Sequence, residues 1–68
     1  MELKDKHYRP VKYYDNEKRI AVIDDETSFI VASQCFTYGL NNGFLDFKIV
    51  EFFAKSLDRA IDYINNNL

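Results

Sequence analysis

Cys35 is the only cysteine in this chain, which removes the commonest way for a short polypeptide to hold itself together. With 68 residues, the chain makes one domain at most and buries only about 60% of the surface it exposes when unfolded. Scaffolds of that size rely on disulfides, a metal, a partner or an unusually rich core. A disulfide within the chain needs a second cysteine. A structural zinc needs four ligands, and Cys35 and His7 are the only soft ones. No metal and no cofactor is therefore expected. What remains is a rich core or a partner. Six Phe and five Tyr, with a run of Ile, Val and Leu, supply the first. Aromatic residues are also what interfaces are built from.

Residues 1–68 read as a single domain in which 1–9 form a loose or edge arm, because Pro10 restricts Arg9 to extended conformations and marks the entry to ordered structure. Residues 11–15 are β-prone, Asn16-Glu17 suits a tight turn, and Lys18 to Asp24 returns through Ile20, Ala21, Val22 and Ile23. Asp24-Asp25-Glu26-Thr27 is a polar break. Ser28 to Phe36 is a third β-branched and aromatic segment. Three short strands at this spacing predict an antiparallel meander. Gly39-Leu40-Asn41-Asn42-Gly43 is a loop.

Residues 44–68 support two patterns. Set at 100° per residue, Lys48, Glu51, Lys55, Asp58, Arg59 and Asp62 share one arc of about 100°, which favours a long amphipathic helix. As a strand, the same stretch breaks alternation at Lys48 and Glu51 unless a bulge intervenes. Local chemistry points that second way: Ile49-Val50-Glu51-Phe52-Phe53 is β-prone, and Ser56 is a good N-cap for a helix over 57–67. A hairpin between 36–38 and 44–53 would then span the loop. Both patterns give one fold class: α+β, a three- or four-stranded antiparallel sheet packed against one C-terminal helix. The expected core is Val11 or Tyr13, Ile20, Val22, Phe29, Val31 and Phe36 from the sheet, with Ile49, Phe53, Leu57, Ala60, Ile61 and Ile64 from the helix. In the long helix, the apolar arc of roughly 200° exceeds what one sheet face covers. A second copy or a partner would cover the excess, with Phe47, Phe52 and Tyr63 at its margins.

Catalytic groups are sparse. Cys35 sits in an apolar strand segment and reads as a small buried hydrophobe. His7, the only imidazole, lies in the N-terminal arm, where it cannot be held in register as a base. Asp24, Asp25 and Glu26 are consecutive in a turn, so their carboxylates diverge rather than converge on an ion. No catalytic residue is assigned, and no enzyme is expected. Net charge is −2 and the pI about 5.2, so no global field draws nucleic acid or an anionic membrane. Residues 1–20 nevertheless carry a surplus of +2. There Tyr8, Arg9, Lys12, Tyr14, Lys18 and Arg19 interleave cations with rings that could stack on unpaired bases. In simple alternation Lys12 and Tyr14 share one face, and Val11 and Tyr13 the other.

The codon chemistry of a chain in which Phe, Tyr, Met, Ile, Asn and Lys outnumber Gly, Ala, Arg and Pro by 30 to 10 indicates an AT-rich genome, bacterial or phage. No stretch reaches the ~20 apolar residues of a membrane span, and a lone cysteine without a signal segment suggests the cytoplasm. The expected function is a small non-enzymatic regulatory protein acting through protein–protein contacts, an accessory factor that modulates a host protein, with a homodimer as one form. The alternative is a nucleic-acid-binding module built on the N-terminal third.

Overall fold

A computed structural model of the chain describes residues 3–39 and 43–68. Seven strands and one helix follow in order: β1 (Lys4–Asp5), β2 (Val11–Asp15), β3 (Ile20–Asp24), β4 (Phe29–Ser33), β5 (Phe36–Tyr38), β6 (Phe44–Asp46), β7 (Ile49–Ala54) and α1 (Leu57–Asn67). Strands β2-β3-β4-β7 form a four-stranded antiparallel sheet, and β1-β6-β5 a three-stranded one in which β1 runs parallel to β6. The result is a small α+β fold with the four-stranded sheet in the middle. The loop expected at Gly39–Gly43 has its centre, residues 40–42, outside the described residues.

The middle position explains why β3 and β4 are apolar runs rather than alternating ones. Ile20, Val22 and Val31 face α1, where they join Ala54, Ala60 and Ile64, with Tyr13, Phe29, Leu57 and Tyr63 packed around them. Ala21, Ile23, Ile30 and Ala32 face the other way, onto Cys35 and Leu45, with Leu3, Val11, Tyr14 and Phe47 alongside. Period two sends neighbours to opposite faces, and both faces are covered. Ala21 and Ala32 are direct cross-strand partners, and their small side chains let the second sheet approach closely.

Residues 44–54 are strands, not the first turns of a long helix. The condition that strand pairing required is met. Val31 pairs with Phe52 but Ala32 with Val50, leaving Glu51 as the extra residue of a bulge. The charges that trace a helical stripe in the sequence belong to a bulge (Glu51), to the residues flanking a strand (Lys48, Lys55) and to a shorter helix (Asp58, Arg59, Asp62). That helix starts at Ser56, whose hydroxyl accepts the Arg59 N–H at 3.2 Å. Ala60 and Ile64, four apart, are its buried stripe.

Three residues assigned to the core lie elsewhere. Phe36, Ile49 and Phe53 are exposed, Phe53 at 62%, because β5 and β7 are edge strands whose outer surfaces nothing else in the described residues covers. A second bulge, between Val11 and Tyr13, overturns the simple alternation in β2: Val11 and Tyr14 share the face toward the small sheet, while Tyr13 faces α1.

The N-terminal arm is pinned by a buried carboxylate. Asp5 is fully buried. It accepts the backbone N–H groups of His7 and Arg9 at 2.9 and 2.8 Å and the Arg9 guanidinium at 2.7 Å. Arg9 reaches on to Asp25 at 2.9 Å, tying the arm to the β3–β4 turn. Burial alone would raise the Asp5 pKa, but the hydrogen bonds and charge of Arg9 and the His7 amide outweigh it and hold the carboxyl below its ordinary value.

Candidate interaction surfaces

The basic and aromatic residues of the N-terminal third do not gather into one patch. Arg9 is engaged on both sides by Asp5 and Asp25. Tyr14 packs between the two sheets, its hydroxyl donating to Asn16 Oδ1 at 3.2 Å. Lys12 is exposed on β2. Lys18 and Arg19 sit in the β2–β3 turn, where Asp15 Oδ1 accepts the Glu17 and Lys18 N–H groups and Arg19 adopts φ 58°. Arg19 Nε donates to the Cys35 carbonyl at 2.9 Å. The two residues line, with Ile20, Ser33, Gln34, Asn67 and Leu68, an open cavity of about 480 Å3.

Tyr8 joins a different group. In β5, Thr37 stands opposite buried Leu45, so Phe36 and Tyr38 project outward, as does Phe44 opposite Tyr38. The four rings touch in sequence: Phe36 to Tyr38 at 6.2 Å, Tyr38 to Phe44 at 5.9 Å, and Phe44 to Tyr8 at 5.8 Å between centroids. Tyr8 is 71% exposed and Tyr38 43%. Lys6 borders the row, paired with Asp46 at 3.3 Å. Ordinary two-layer patterning would place the polar residue of Phe36-Thr37-Tyr38 outside and the rings inside. Here the order is reversed.

A second exposed surface is the free edge of β7. Ile49, Val50, Phe52 and Phe53 are exposed there. Phe52 stacks on Tyr63 of α1 at 4.4 Å with the planes 2° apart, so these two predicted residues do meet. With Arg59, Asp62, Asn66 and Asn67 they line a shallow cavity of about 250 Å3. Phe47, the third predicted margin residue, instead packs half-buried on the opposite layer. Sequence reasoning missed Phe36, Tyr38 and Phe44 as surface residues; period two carried inward from Cys35 would have turned Phe36 outward.

Cys35 is buried, with Sγ donating to the Ala32 carbonyl at 3.4 Å. Burial pushes its thiol up to about 11, so at neutral pH it is a protonated thiol packed as an apolar group. His7 is exposed on the arm. Among the described residues no three His, Cys, Asp or Glu side chains group as a metal site, and no helix is long and apolar enough to cross a membrane. The acidic turn is engaged locally: Asp24 Oδ1 accepts the Glu26 N–H at 2.9 Å and Asp25 holds Arg9. The chain matches no protein-family model, no curated protein and no solved structure.

Proposed function

We propose that this chain is a non-enzymatic binding protein that acts by protein–protein contact, docking a partner on the outer face of its small sheet. The reversed patterning of Phe36-Thr37-Tyr38 carries the reading. Rings turned outward contribute little to the chain's own core, while rigid aromatic side chains are the residues that anchor protein interfaces. The row formed with Phe44 and Tyr8 offers a contiguous apolar strip of the kind that marks an interaction site. The partner it fits presents apolar side chains to those rings. An AT-rich composition and small size suit a bacterial or phage accessory factor that regulates a host protein in the cytoplasm.

The test compares affinity capture by the wild type with capture by a Tyr8→Ser/Tyr38→Ser double variant, both checked for unchanged circular dichroism. A protein partner recovered by the wild type, lost with the double variant and retained by Lys12→Ala on β2 supports the proposal. Undiminished recovery by the double variant refutes it. Retention of single-stranded oligonucleotides that falls steeply with salt would instead favour base stacking on the same rings beside Lys4 and Lys6.

A further inference from the structure

We infer that the β7–α1 edge is the self-association surface of this chain, and that two copies join there about a two-fold axis into one eight-stranded antiparallel sheet. This surface is separate from the aromatic row, so the two proposals stand or fall independently. The first observation is the edge itself. Strand β7 ends the four-stranded sheet, and its outer side offers an unpaired row of backbone donors and acceptors together with Ile49, Val50, Phe52 and Phe53. Proteins that must stay single commonly blunt such edges with charges, proline, bulges or a covering element; β7 has one bulge, at Glu51, and a lysine at each end. Among the described residues nothing covers this one.

The second observation selects the occupant. Six charged residues lie on or next to the two elements: Lys48 and Lys55 flank β7, Glu51 stands in its bulge, and Asp58, Arg59 and Asp62 lie on α1. The ion pairs found among the described residues are Lys6–Asp46, Arg9–Asp5 and Arg9–Asp25, so none of the six is in an ion pair, although Glu51 accepts the Ser33 hydroxyl at 2.6 Å. Equal numbers of both signs, outside any ion pair, do not select a partner of one charge. They suit a two-fold contact, in which residue i of one copy meets residue j of the other and j meets i. Arg59 and Asp62 lie three apart on one helix face beside Phe52 and Tyr63. Antiparallel pairing of β7 with β7 brings the two α1 helices side by side on the same sheet face. Arg59 of each copy then faces Asp62 of the other, over stacked Phe52 and Tyr63.

The size of the contact sets its strength. Six strand residues run about 20 Å and eleven helical ones about 16 Å, a face that covers on the order of 500 Å2 per copy. Stable interfaces bury about 800 Å2 per partner. A contact smaller than that is expected to be weak and reversible.

Sedimentation velocity and light scattering from about 1 µM to about 1 mM test this. The wild-type mass is expected to climb from 8.1 kDa toward twice that value, with amide exchange at 49–54 slowing as concentration rises. Phe53→Lys, at an exposed position, should keep the fold and weaken association at least tenfold. Arg59→Asp and Asp62→Arg should each weaken it alone, by setting like charges against each other across the axis. An equimolar mixture of these two single variants should recover it, since the heterodimer restores both pairs. A mass fixed at 8.1 kDa throughout overturns the dimer. Single variants as tightly associated as the wild type, or a mixture no better than either alone, overturn the arrangement.

Discussion

Asp5 is the residue whose replacement should be felt most relative to its unremarkable place in the sequence. Its carboxylate has no exposed surface, yet it holds two backbone N–H groups and both near nitrogens of the Arg9 guanidinium. Asp5→Ala leaves those N–H groups without their acceptor and the guanidinium with Asp25 alone. Breaking a buried ion pair from one side costs about 3–5 kcal/mol, and a chain this long has roughly 3–10 kcal/mol in total. With an m-value of ~1 kcal/mol/M in urea, the midpoint should fall by about 3 M or more, or the variant should show no folded baseline. Asp5→Asn keeps an oxygen for the His7 and Arg9 amides but loses the charge. A loss of about 1.5–3 kcal/mol is expected for it.

The same site sets an acid limit. The folded pKa of Asp5 lies below its ordinary value of 3.8. The unfolded chain therefore takes up the proton first, and the stabilisation is present above pH 3.8 and is lost as pH falls through the folded pKa. Urea titrations of wild type and Asp5→Asn between pH 2 and pH 7 should converge at the acid end. An Asp5→Ala unfolding free energy within ~0.5 kcal/mol of wild type, or parallel pH profiles for wild type and Asp5→Asn, would refute the clamp as the tether of the arm.

Other positions separate core from surface. Ile64→Ala should cost about 2–5 kcal/mol in chemical denaturation, whereas Phe53→Ser should stay within about 0.5 kcal/mol in the monomer at low micromolar concentration. Ser56→Ala removes the acceptor of the Arg59 N–H, and a thermal melt should register about 1 kcal/mol. Cys35 has its folded pKa raised from 9.0 to about 11, so its contribution is full below pH 9 and is lost as pH rises toward 11. A thiol reagent at pH 8 should label it only on unfolding.

Where the chain met ordinary signals, the sequence was readable. Strands β2, β3 and β4 lie where β-branched runs and polar turns put them, and α1 begins at the Ser56 cap. What escaped has three physical sources. The bulge at Glu51 shifts the phase of β7 by one residue, so a charge pattern set by an edge strand imitated helical periodicity. Strand β1 is two residues long, too short for any period to register, and joins β6 only through a contact distant in sequence, Lys4 with Phe44, whereas the hairpin of 36–38 with the start of 44–53 is the one the second sequence pattern contained. The arm's anchor is an ion pair, which hydropathy reads as surface.

These misses bear on the interaction surfaces in a consistent way. A long helix would have left its surplus apolar arc beside the sheet, and a single partner could have covered it. With the stretch divided, the exposed apolar residues fall into two places. Phe36 and Tyr38 stand on the small sheet beside half-buried Phe44, while Ile49, Val50, Phe52 and Phe53 stand on the edge of the large one. The second places charges of both signs beside its strand, Arg59 and Asp62 among them. Only the first reverses the inside–outside order of its strand. Self-pairing through the edge leaves the aromatic row open in each copy. A dimer would then present two such rows, and a partner with two matching sites would bind the dimer more tightly than the monomer by effective concentration alone. Comparing partner affinity of the wild type with that of Phe53→Lys, whose aromatic row is intact, measures that gain. Equal affinities at concentrations where the wild type is dimeric would mean that each row works alone.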